Sequence, residues 1–508
     1  MYGNGMTPGR FTRFVRFTSR SKLQPQQFLT PDLQSHRWKA SDLKPHFALL
    51  GAACFAMIWV IARTCLQSVT LDEANSYLTF AAPDWPAYWV ASSGNHVLNT
   101  ILERISTSIF GLSHFTLRTP ALIGAAIYIA ASYGLCRRMS RDNAIRWPLF
   151  ICLVYNPFVM DYMVAARGYG LALGLLMAAI WSAWDSRFAL ASVCIGLSFC
   201  ANFSFAYIDA AVISVFAVWA FRETRNWRTL VLALGPGALV AFLICGWTVW
   251  TWPKGQLYYG AASLSEMWRS MVWSTFGDLN PFLAHPLLVT ILRAVGRKLP
   301  GLVVGLLIWQ LLRIVWSGQK LGLILARAMA IAFLCHWLAF HFLGIPLPME
   351  RTAIFFVPLA LLLIGIGAAL PSSSRFGAVP RLLSIAALSL CAVYFLGCLR
   401  LSYFKEWKFD ADVKELYGVL RQQNLRDIEV DWRYAVPLNF YRAYYHDQAL
   451  PSFDWTEPHV EGKPAYVLHL PEARDFINKQ NLQVIYQGKV SDAVVAVRPV
   501  EPRAGVHR

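Results

Sequence analysis

Charged residues are scarce in this sequence. Asp, Glu, Lys and Arg make up 15% of its 508 residues, whereas hydrophobic residues make up 56%, and the mean hydropathy is +0.42. An ordinary soluble domain has about 25% charged residues. The scarcity therefore excludes a single soluble globular protein and predicts a chain that crosses the membrane several times.

Two further absences narrow the class of protein. None of the ten cysteines lies after Cys398, and all of them fall within or at the ends of apolar segments, so we expect packing residues rather than a disulfide framework. The net charge of +17 is not gathered into one basic patch, so no nucleic-acid partner is expected. The basic residues recur in short clusters between apolar runs, as they do in cytoplasmic loops.

Apolar runs recur along most of the chain, and each is about as long as the ~20 residues that a helix needs to cross a bilayer. They predict a polytopic α-helical membrane protein with about eleven transmembrane helices. The expected spans are 46–68, 114–136, 147–165, 168–184, 188–206, 207–221, 229–251, 299–317, 320–344, 352–370 and 381–402.

The clusters of Lys and Arg set the expected orientation and the expected domains. The N-terminal arm, 1–45, holds eight basic and two acidic residues. It is expected in the cytoplasm, where it either lies on an anionic lipid surface or stays disordered. A multi-span domain should cover 46–402, with its first outer loop at 69–113. Residues 403–508 have the composition of a soluble domain, which the orientation rule places outside the cytoplasm.

Periodicity also predicts elements outside the spans. Residues 99–110 place four apolar side chains on one helical face, as expected for a helix that lies in the plane of the membrane interface. Residues 410–423 also have helical spacing. Strand-like runs follow at 428–430, 465–470 and 493–497. The C-terminal region is therefore expected to form a small extracytoplasmic α/β domain, in which nothing resembles a nucleotide-binding loop.

The first outer loop carries the first candidates for chemistry. Asp72 and Glu73 come directly after the first span, and Asn95 and His96 stand farther along the same loop. Charge near a bilayer is costly, so acidic residues held at the mouth of a helix bundle are functional candidates. The simpler alternative is that Asp72 and Glu73 cap a short helix at the entrance of the loop.

A second group of candidates stands in the turn between the third and fourth spans. Arg167 and Tyr169 flank Gly168 there. The planar guanidinium of Arg is suited to phosphate because it binds two oxygens at once and stays charged, while Gly168 lets a backbone or a ligand come close. The alternative for Arg167 is a side chain that extends to the membrane interface without a ligand.

Two more outer loops contribute charged residues. Glu350 and Arg351 precede the tenth span, where a solvated ion pair is the simpler interpretation. The long loop 252–298 carries Lys254 and Arg269, whose individual roles the sequence does not rank. These four residues complete the set of candidate substrate-binding residues.

The combination of these short motifs resembles the GT-C class of membrane glycosyltransferases, and especially the bacterial relatives of protein O-mannosyltransferases and of lipid A aminoarabinose transferase. The resemblance covers 46–500. In such families a carboxylate in the first outer loop is the catalytic base, a role that would fall to Asp72, with Glu73 as second candidate. Outer arginines of these families contact a lipid-linked phosphate, which suggests Arg167 and Arg351.

The resemblance also implies a reaction and its partners. The donor would be a sugar on a polyprenyl phosphate, the acceptor a lipid, a glycan or a protein, and the enzyme an inverting glycosyltransferase among the lipids of a bacterial inner membrane. It implies no certain cofactor. A divalent metal near Asp72, Glu73 and His96 is an open alternative, since acids and histidine are plausible ligands.

Two other classes of protein are weighed against this one. A transporter or flippase should carry polar residues near the middle of the bilayer on helices broken by Gly or Pro. A structural or assembly protein with a periplasmic interaction domain would leave the outer acids and arginines without a role. The distribution of charge at the outer ends of the spans favours the glycosyltransferase.

Overall fold

The computed structural model describes residues 40–84, 87–371, 375–455 and 459–499. Two compact units divide the chain, Met1–Phe47 and Ala48–Arg508. The predicted basic arm, 1–45, lies almost wholly outside the described residues. Everything that positions the candidate site belongs to the second unit.

Nineteen α-helices occur in the described ranges. In chain order they are α1 (Ala40–Leu66), α2 (Leu71–Ser76), α3 (Val97–Phe110), α4 (His114–Leu117), α5 (Thr119–Met139), α6 (Asn143–Val154), α7 (Pro157–Tyr162), α8 (Tyr169–Trp184), α9 (Phe188–Ala201), α10 (Ala206–Thr224), α11 (Trp227–Trp250), α12 (Leu264–Phe276), α13 (Pro286–Ser317), α14 (Lys320–Leu343), α15 (Phe356–Ala369), α16 (Arg375–Cys398), α17 (Val413–Gln422), α18 (Trp432–Tyr444) and α19 (Leu470–Lys479).

Eight helical segments of the described chain are long and apolar enough to cross a membrane. They are Phe47–Leu66, Thr119–Met139, Phe203–Thr224, Trp227–Trp250, Pro286–Ser317, Lys320–Leu343, Glu350–Ala369 and Ala378–Cys398. The chain is therefore a multi-pass membrane protein, as predicted. Three expected spans correspond to shorter apolar helices, α6, α8 and α9, with 12, 16 and 14 residues. The total of eleven spans accordingly stays a prediction.

The helix expected over 99–110 is present as α3, and it turns its polar side chains inward. Asn99 and Glu103 are buried, whereas Ile105 and Ile109 are 50% and 66% exposed. An apolar outer face is what a helix lying along lipid requires, since polar groups are costly there. The polar face of α3 is therefore part of the protein interior at the first loop.

The C-terminal region folds as a small α/β module. Its sheet contains β1 (Ile428–Val430), β2 (Ala465–His469), β3 (Gln483–Gln487) and β4 (Ala493–Val497), in the order β1-β2-β4-β3. β1 and β2 are parallel, and β4 pairs antiparallel with both β2 and β3. The three predicted strands are confirmed. β3 is an additional edge strand whose alternation is weak.

This module packs directly on the start of the first loop. The backbone N–H of Val69 donates to the hydroxyl of Tyr441 at 3.0 Å, and that of Leu71 donates to Asp410 Oδ2 at 2.7 Å. Because the module and the helix bundle belong to one compact unit, the domain boundary expected at 403 stays a prediction. We call the end of the bundle that contacts the module the module face.

The segment 399–412 joins α16 to the module and runs across the module face. The carbonyl of Tyr403 accepts from Gln67 at 3.0 Å, and the backbone N–H of Lys405 donates to Asp161 Oδ2 at 3.0 Å. Asp161 also pairs with the buried Arg63 at 2.5 Å. These contacts fasten the segment to α1 and α7 and thereby fix the residues that follow Lys405.

Candidate active site

A capping box starts the short helix α2 and separates the two neighbouring carboxylates. Thr70 Oγ accepts from the backbone N–H of Glu73 at 3.1 Å, and Glu73 Oε2 accepts from the N–H of Thr70 at 2.9 Å. This reciprocal pattern satisfies two donors at the helix start. Successive side chains on a helix diverge by about 100°. Asp72 and Glu73 therefore face different surroundings.

Glu73 faces inward and is fully committed to structural contacts. Its carboxylate accepts from Arg118 Nε at 2.8 Å and Nη2 at 2.7 Å, and from the backbone N–H of Ala166 at 2.8 Å. Both partners of the ion pair are completely buried. The other donors of Arg118 bind the carbonyls of Thr64, Gln67 and Ser68. The capping alternative thus describes Glu73, and Asp72 is the better placed of the two for catalysis.

Asp72 faces two arginines that come from distant parts of the chain. Its Oδ2 atom lies 3.4 Å from Arg351 Nη2 and 3.8 Å from Arg167 Nε, and its side chain is 26% exposed. Within the described chain, this buried oxygen has no hydrogen-bond partner. A partly accessible carboxylate between two cations is a group that an incoming ligand can reach.

Arg167 is held by several oxygens of the first loop. Its Nη1 donates to the hydroxyl of Ser76 and to the carbonyls of Asp72 and Gly94, both at 3.3 Å. The guanidinium is therefore anchored on one side, while Nε faces Asp72 without a hydrogen-bond partner among the described residues. This buried donor therefore stays unpaired beside Asp72.

Gly168 makes this position of Arg167 possible. Its φ of +70° lies in the left-handed region that side chains disfavour. A Cβ atom at this position would also collide with the carbonyl oxygen of Ala201 and lie 3.2 Å from His96 Cβ. The close approach of the turn to α9 lets Asn202 Nδ2 donate to the carbonyl of Arg167 at 3.2 Å.

Arg351 reaches the site from a 3₁₀ turn, Glu350–Ala353. Its guanidinium carbon lies 4.3 Å from the ring centre of Tyr259 and 5.7 Å from that of Trp407. Its Nη1 pairs with Glu406, which also accepts a hydrogen bond from the hydroxyl of Tyr162. Two aromatic rings and an acid thus orient Arg351 toward Asp72.

Glu350 supports this arrangement from outside the cavity. Its φ is +46°, its N–H donates to Ser270 Oγ at 3.3 Å, and its carboxylate accepts from the hydroxyl of Tyr259. Glu350 therefore holds the ring on which Arg351 lies. The structure shows no direct ion pair between Glu350 and Arg351 among the described contacts, in contrast to the solvated pair that the sequence suggests.

These side chains surround a cavity of about 250 Å³ at the module face. Five of the predicted site residues line it: Asp72, His96, Arg167, Tyr169 and Arg351. Its charged lining residues in the described chain are two arginines against one carboxylate, which leaves an excess of one positive charge. Such a cavity suits an anionic group surrounded by polar and aromatic contacts.

The imidazole of His96 lines this cavity. Its side chain is buried, and neither ring nitrogen has a hydrogen-bond partner in the described residues. The ring packs edge-on against Tyr169 with 5.6 Å between ring centres. Burial, and then the charges of Arg167 and Arg351, lower the pKa of His96 well below its usual 6.5. The neutral ring can both donate to and accept from a hydroxyl.

The remaining predicted residues do not line the cavity. Asn95 is buried and shapes the loop, since its Nδ2 donates to the carbonyls of Tyr88 and Val90 and its Oδ1 accepts from Thr100. Lys254 is exposed on the loop after α11. Arg269 is an exposed residue of α12 and lines a different cavity.

Sequence reasoning missed several residues that the fold brings to the site. Glu406 lies in a region that reads as the start of a soluble domain, although an acid a few residues after the last span could have marked it. Asn202, Ser204 and Tyr207 line the cavity from the connection between α9 and α10 and the first turn of α10, and His336 lines it from within α14. Their polar side chains within or beside apolar runs were the available signal.

The side chains that commonly hold metals are spread out in this structure. Within the described ranges, no group of three or more His, Cys, Asp or Glu side chains comes together in a position to bind an ion. Asp72 and His96 line the same cavity, but Glu73 turns away from it to Arg118. The three residues that the sequence suggested as metal ligands are thus not assembled as one set.

We expect Glu406→Gln to weaken binding of the anionic ligand by about fivefold, or about 1 kcal/mol. The variant removes one of the two carboxylates that pair with Arg351, so the guanidinium shifts toward Asp72, the remaining one, and loses its orientation. Both partners of the pair are only 16% and 18% exposed, so the loss exceeds that of a surface pair. Titration with polyprenyl phosphate, the ligand that the sequence resemblance implies, measures the affinity.

Glu472→Gln is the matched control for this variant. It also removes a Glu–Arg pair, with Arg433, but Glu472 is 62% exposed on the module. Its ligand affinity should match that of the unaltered protein. Equal affinity for both variants would show that Glu406 does not position Arg351.

The helices, the first loop and the module define a multi-pass membrane protein with a cation-lined cavity at one face. No protein-family model matches this sequence, and no curated protein matches it. Solved structures similar to the chain include ArnT from Cupriavidus metallidurans in the apo state, with a TM-score of 0.49, 12% identity, and coverage of 89% of this chain and 97% of that one.

The same ArnT bound to undecaprenyl phosphate has a TM-score of 0.47 and 11% identity, with 90% and 98% of the two chains covered. Arabinosyltransferase EmbB from Mycobacterium smegmatis has a TM-score of 0.36 and 13% identity, with 85% and 44% covered. Both proteins have the GT-C fold that the sequence motifs resemble. At such identities and TM-scores, the activity of this chain is argued from its own site.

Proposed function

We propose that this protein is an inverting glycosyltransferase that moves a sugar from a polyprenyl phosphate to an acceptor at the outer face of a bacterial inner membrane. The observation that carries the proposal is the position of Asp72 between Arg167 and Arg351 at a polar cavity. In this orientation the N-terminus is cytoplasmic and the C-terminal module is outside. The acceptor is a lipid, a glycan or a protein.

The two arginines are suited to the phosphate of the donor. The Nε–H of Arg167 has no hydrogen-bond partner among the described residues. This group and Nη2 of Arg351 both face Oδ2 of Asp72. Guanidinium groups bind phosphate oxygens in pairs and remain charged throughout the reaction. Fixed cations at the departing phosphate stabilise the charge that develops there, by about 10²–10³ in rate per group by analogy with oxyanion donors.

Donor binding also prepares Asp72 for its role. In the ligand-free structure Asp72 is the counter-charge of both arginines. The donor phosphodiester placed between Arg167 and Arg351 takes over that counter-charge with its two non-bridging oxygens. Asp72 then becomes free to accept a proton from an acceptor hydroxyl or amine, at the point where the arginines hold the leaving group. The lipid phosphate that leaves carries a second negative charge, which the same two arginines stabilise.

The reaction step follows from these positions. The acceptor oxygen or nitrogen forms a bond to the anomeric carbon while the bond from that carbon to the phosphate oxygen breaks. The electron pair of the broken bond leaves with the lipid phosphate, and Asp72 takes the proton of the acceptor. A positioned general base contributes about 10²–10⁴ in rate. A single displacement inverts the configuration at the anomeric carbon.

His96 and Tyr169 serve the sugar rather than the phosphate in this proposal. The imidazole of His96 is neutral and has both nitrogens free among the described residues. A neutral ring adds no charge beside the leaving group, but it can bind sugar hydroxyls as donor or acceptor. Tyr169 supplies an aromatic surface beside it.

A transfer assay in detergent tests the proposed function. Purified protein receives polyprenyl phosphates that carry a labelled pentose or hexose, together with lipid, glycan and protein fractions of a cell envelope. We expect release of polyprenyl phosphate and a covalent label on one acceptor fraction. A transporter or flippase would form no bond and would need a sealed membrane. Label that crosses liposomes without entering any acceptor would overturn the proposal.

A further inference from the structure

A second and larger cavity lies outside the candidate active site. Its volume is about 730 Å³, and it opens between α12 and the first half of α13, beside Tyr394 of α16. It shares none of its lining residues with the cavity around Asp72. Nothing in the proposed reaction uses it.

The cavity is strongly basic. Arg269, Arg293 and Arg297 line it, and Asp278 is the single acid among its described lining residues, so three positive charges stand against one negative charge. No ion pair to any of the three arginines occurs in the described parts of the chain, although the protein has many acids that form such pairs elsewhere. Three guanidinium groups without counter-charges are an electrostatic site for an anion.

Aromatic and aliphatic side chains adjoin these arginines. Trp268 and Trp273 line the cavity and are each 46% exposed. On the same half of α13, Leu287 is 63% exposed and Ile291 is 50% exposed. An anion-binding cavity next to exposed apolar side chains matches a ligand with a charged head and a hydrocarbon tail.

The position of the cavity relative to the end of a membrane span also fits a ligand with a charged head and a hydrocarbon tail. The backbone N–H of Asn280 donates to the carbonyl of Gly397, and its Nδ2 donates to that of Leu399 at 2.8 Å. The cavity is therefore level with the end of α16, where the apolar span Ala378–Cys398 stops. Phosphate headgroups lie at this level of a bilayer, and Trp and Arg are favourable there.

We propose that the cavity between α12 and α13 binds the phosphate of a membrane lipid, with Arg293 and Arg297 as its main contacts. These two residues are four positions apart on α13, so their side chains project from the same face of the helix. Arg269 completes the site from α12. This inference does not depend on glycosyl transfer. It also assigns a role to Arg269, which does not line the cavity around Asp72.

Lipid titration of the full-length protein in neutral detergent, followed by native mass spectrometry, tests the proposal. Arg293→Gln and Arg297→Gln should each weaken the binding of phosphatidylglycerol by at least about fivefold, since each variant removes a charged hydrogen-bond donor from the phosphate. Lys298→Gln is the matched control. It removes one positive charge from the neighbouring position, and Lys298 does not line the cavity.

Lipid pairs with and without a phosphate group complete the experiment. Diacylglycerol and polyprenol should bind more weakly than phosphatidylglycerol and polyprenyl phosphate. Preference for polyprenyl phosphate would identify the lipid carrier as the source, and equal binding of both phosphate lipids would identify the surrounding membrane. Equal affinities of the Arg297→Gln and Lys298→Gln proteins, or diacylglycerol bound as tightly as phosphatidylglycerol, would overturn the proposal.

Discussion

Asp72→Asn should lower turnover by about 10²–10⁴, the usual contribution of a general base, without loss of donor binding. The swap is nearly isosteric and removes only the charge and the proton-accepting capacity. Because Asp72 is the counter-charge of Arg167 and Arg351 in the ligand-free protein, its neutralisation should leave affinity for polyprenyl phosphate unchanged or increased. Single-turnover kinetics and lipid titration measure the two quantities separately.

Asp84→Asn is the control for this experiment. Asp84 lies in the same loop and pairs with Arg104 at 3.2 Å, but its side chain is 98% exposed, so this variant should keep full turnover.

Arg167→Lys and Arg351→Lys should show the opposite pattern to Asp72→Asn. Lys lacks the planar fork, so donor affinity should fall by about tenfold. Full turnover in the Asp72→Asn protein would exclude Asp72 as the base.

Glu73→Gln should lower the free energy of unfolding by about 3–5 kcal/mol, because it leaves the buried charge of Arg118 without its partner. Neither member of this pair is accessible to solvent. The same contact ties α2 to the turn before Arg167 through the N–H of Ala166. Thermal inactivation and the yield of monodisperse protein in detergent measure this loss.

Glu103→Gln provides a matched comparison with a second buried glutamate. Burial raises the pKa of Glu103 well above its usual range, and its carboxyl oxygen accepts from Asn99 at 2.6 Å. Glu103 has no ion pair among the described residues, so an amide of nearly the same shape replaces its carboxyl at a cost below about 1 kcal/mol. A Glu73→Gln protein that folds normally but loses turnover would transfer the role of base from Asp72 to Glu73.

Much of the fold follows from local sequence patterns. Apolar runs of sufficient length identify the helices that can cross a membrane, and short strand-like runs, whose residues are nearly all buried in the structure, identify β1, β2 and β4. β3 escapes this reasoning because it is an exposed edge strand that begins and ends with Gln, at Gln483 and Gln487. α18 escapes it because Pro437 interrupts its pattern.

The site is only partly predictable, for a geometric reason. The sequence shows that Asp72 and Glu73 are adjacent, but their side chains diverge on α2 and only the fold shows that Arg118 takes Glu73. Likewise, the ion pair between Arg351 and Glu406 joins residues on either side of α15 and α16. Local patterns identify charged residues near membrane interfaces as candidates. Only the long-range packing of the chain determines which of these residues line the same cavity.

The configuration of the transferred sugar tests the central claim most directly. A polyprenyl-phosphate sugar labelled with carbon-13 at the anomeric position is incubated with the protein and its acceptor fraction. NMR then follows the carbon–proton coupling of that position. One displacement assisted by Asp72 predicts a new glycosidic bond whose anomeric configuration is opposite to that of the donor. Retained configuration, or a labelled donor that stays intact under turnover conditions, would contradict the account.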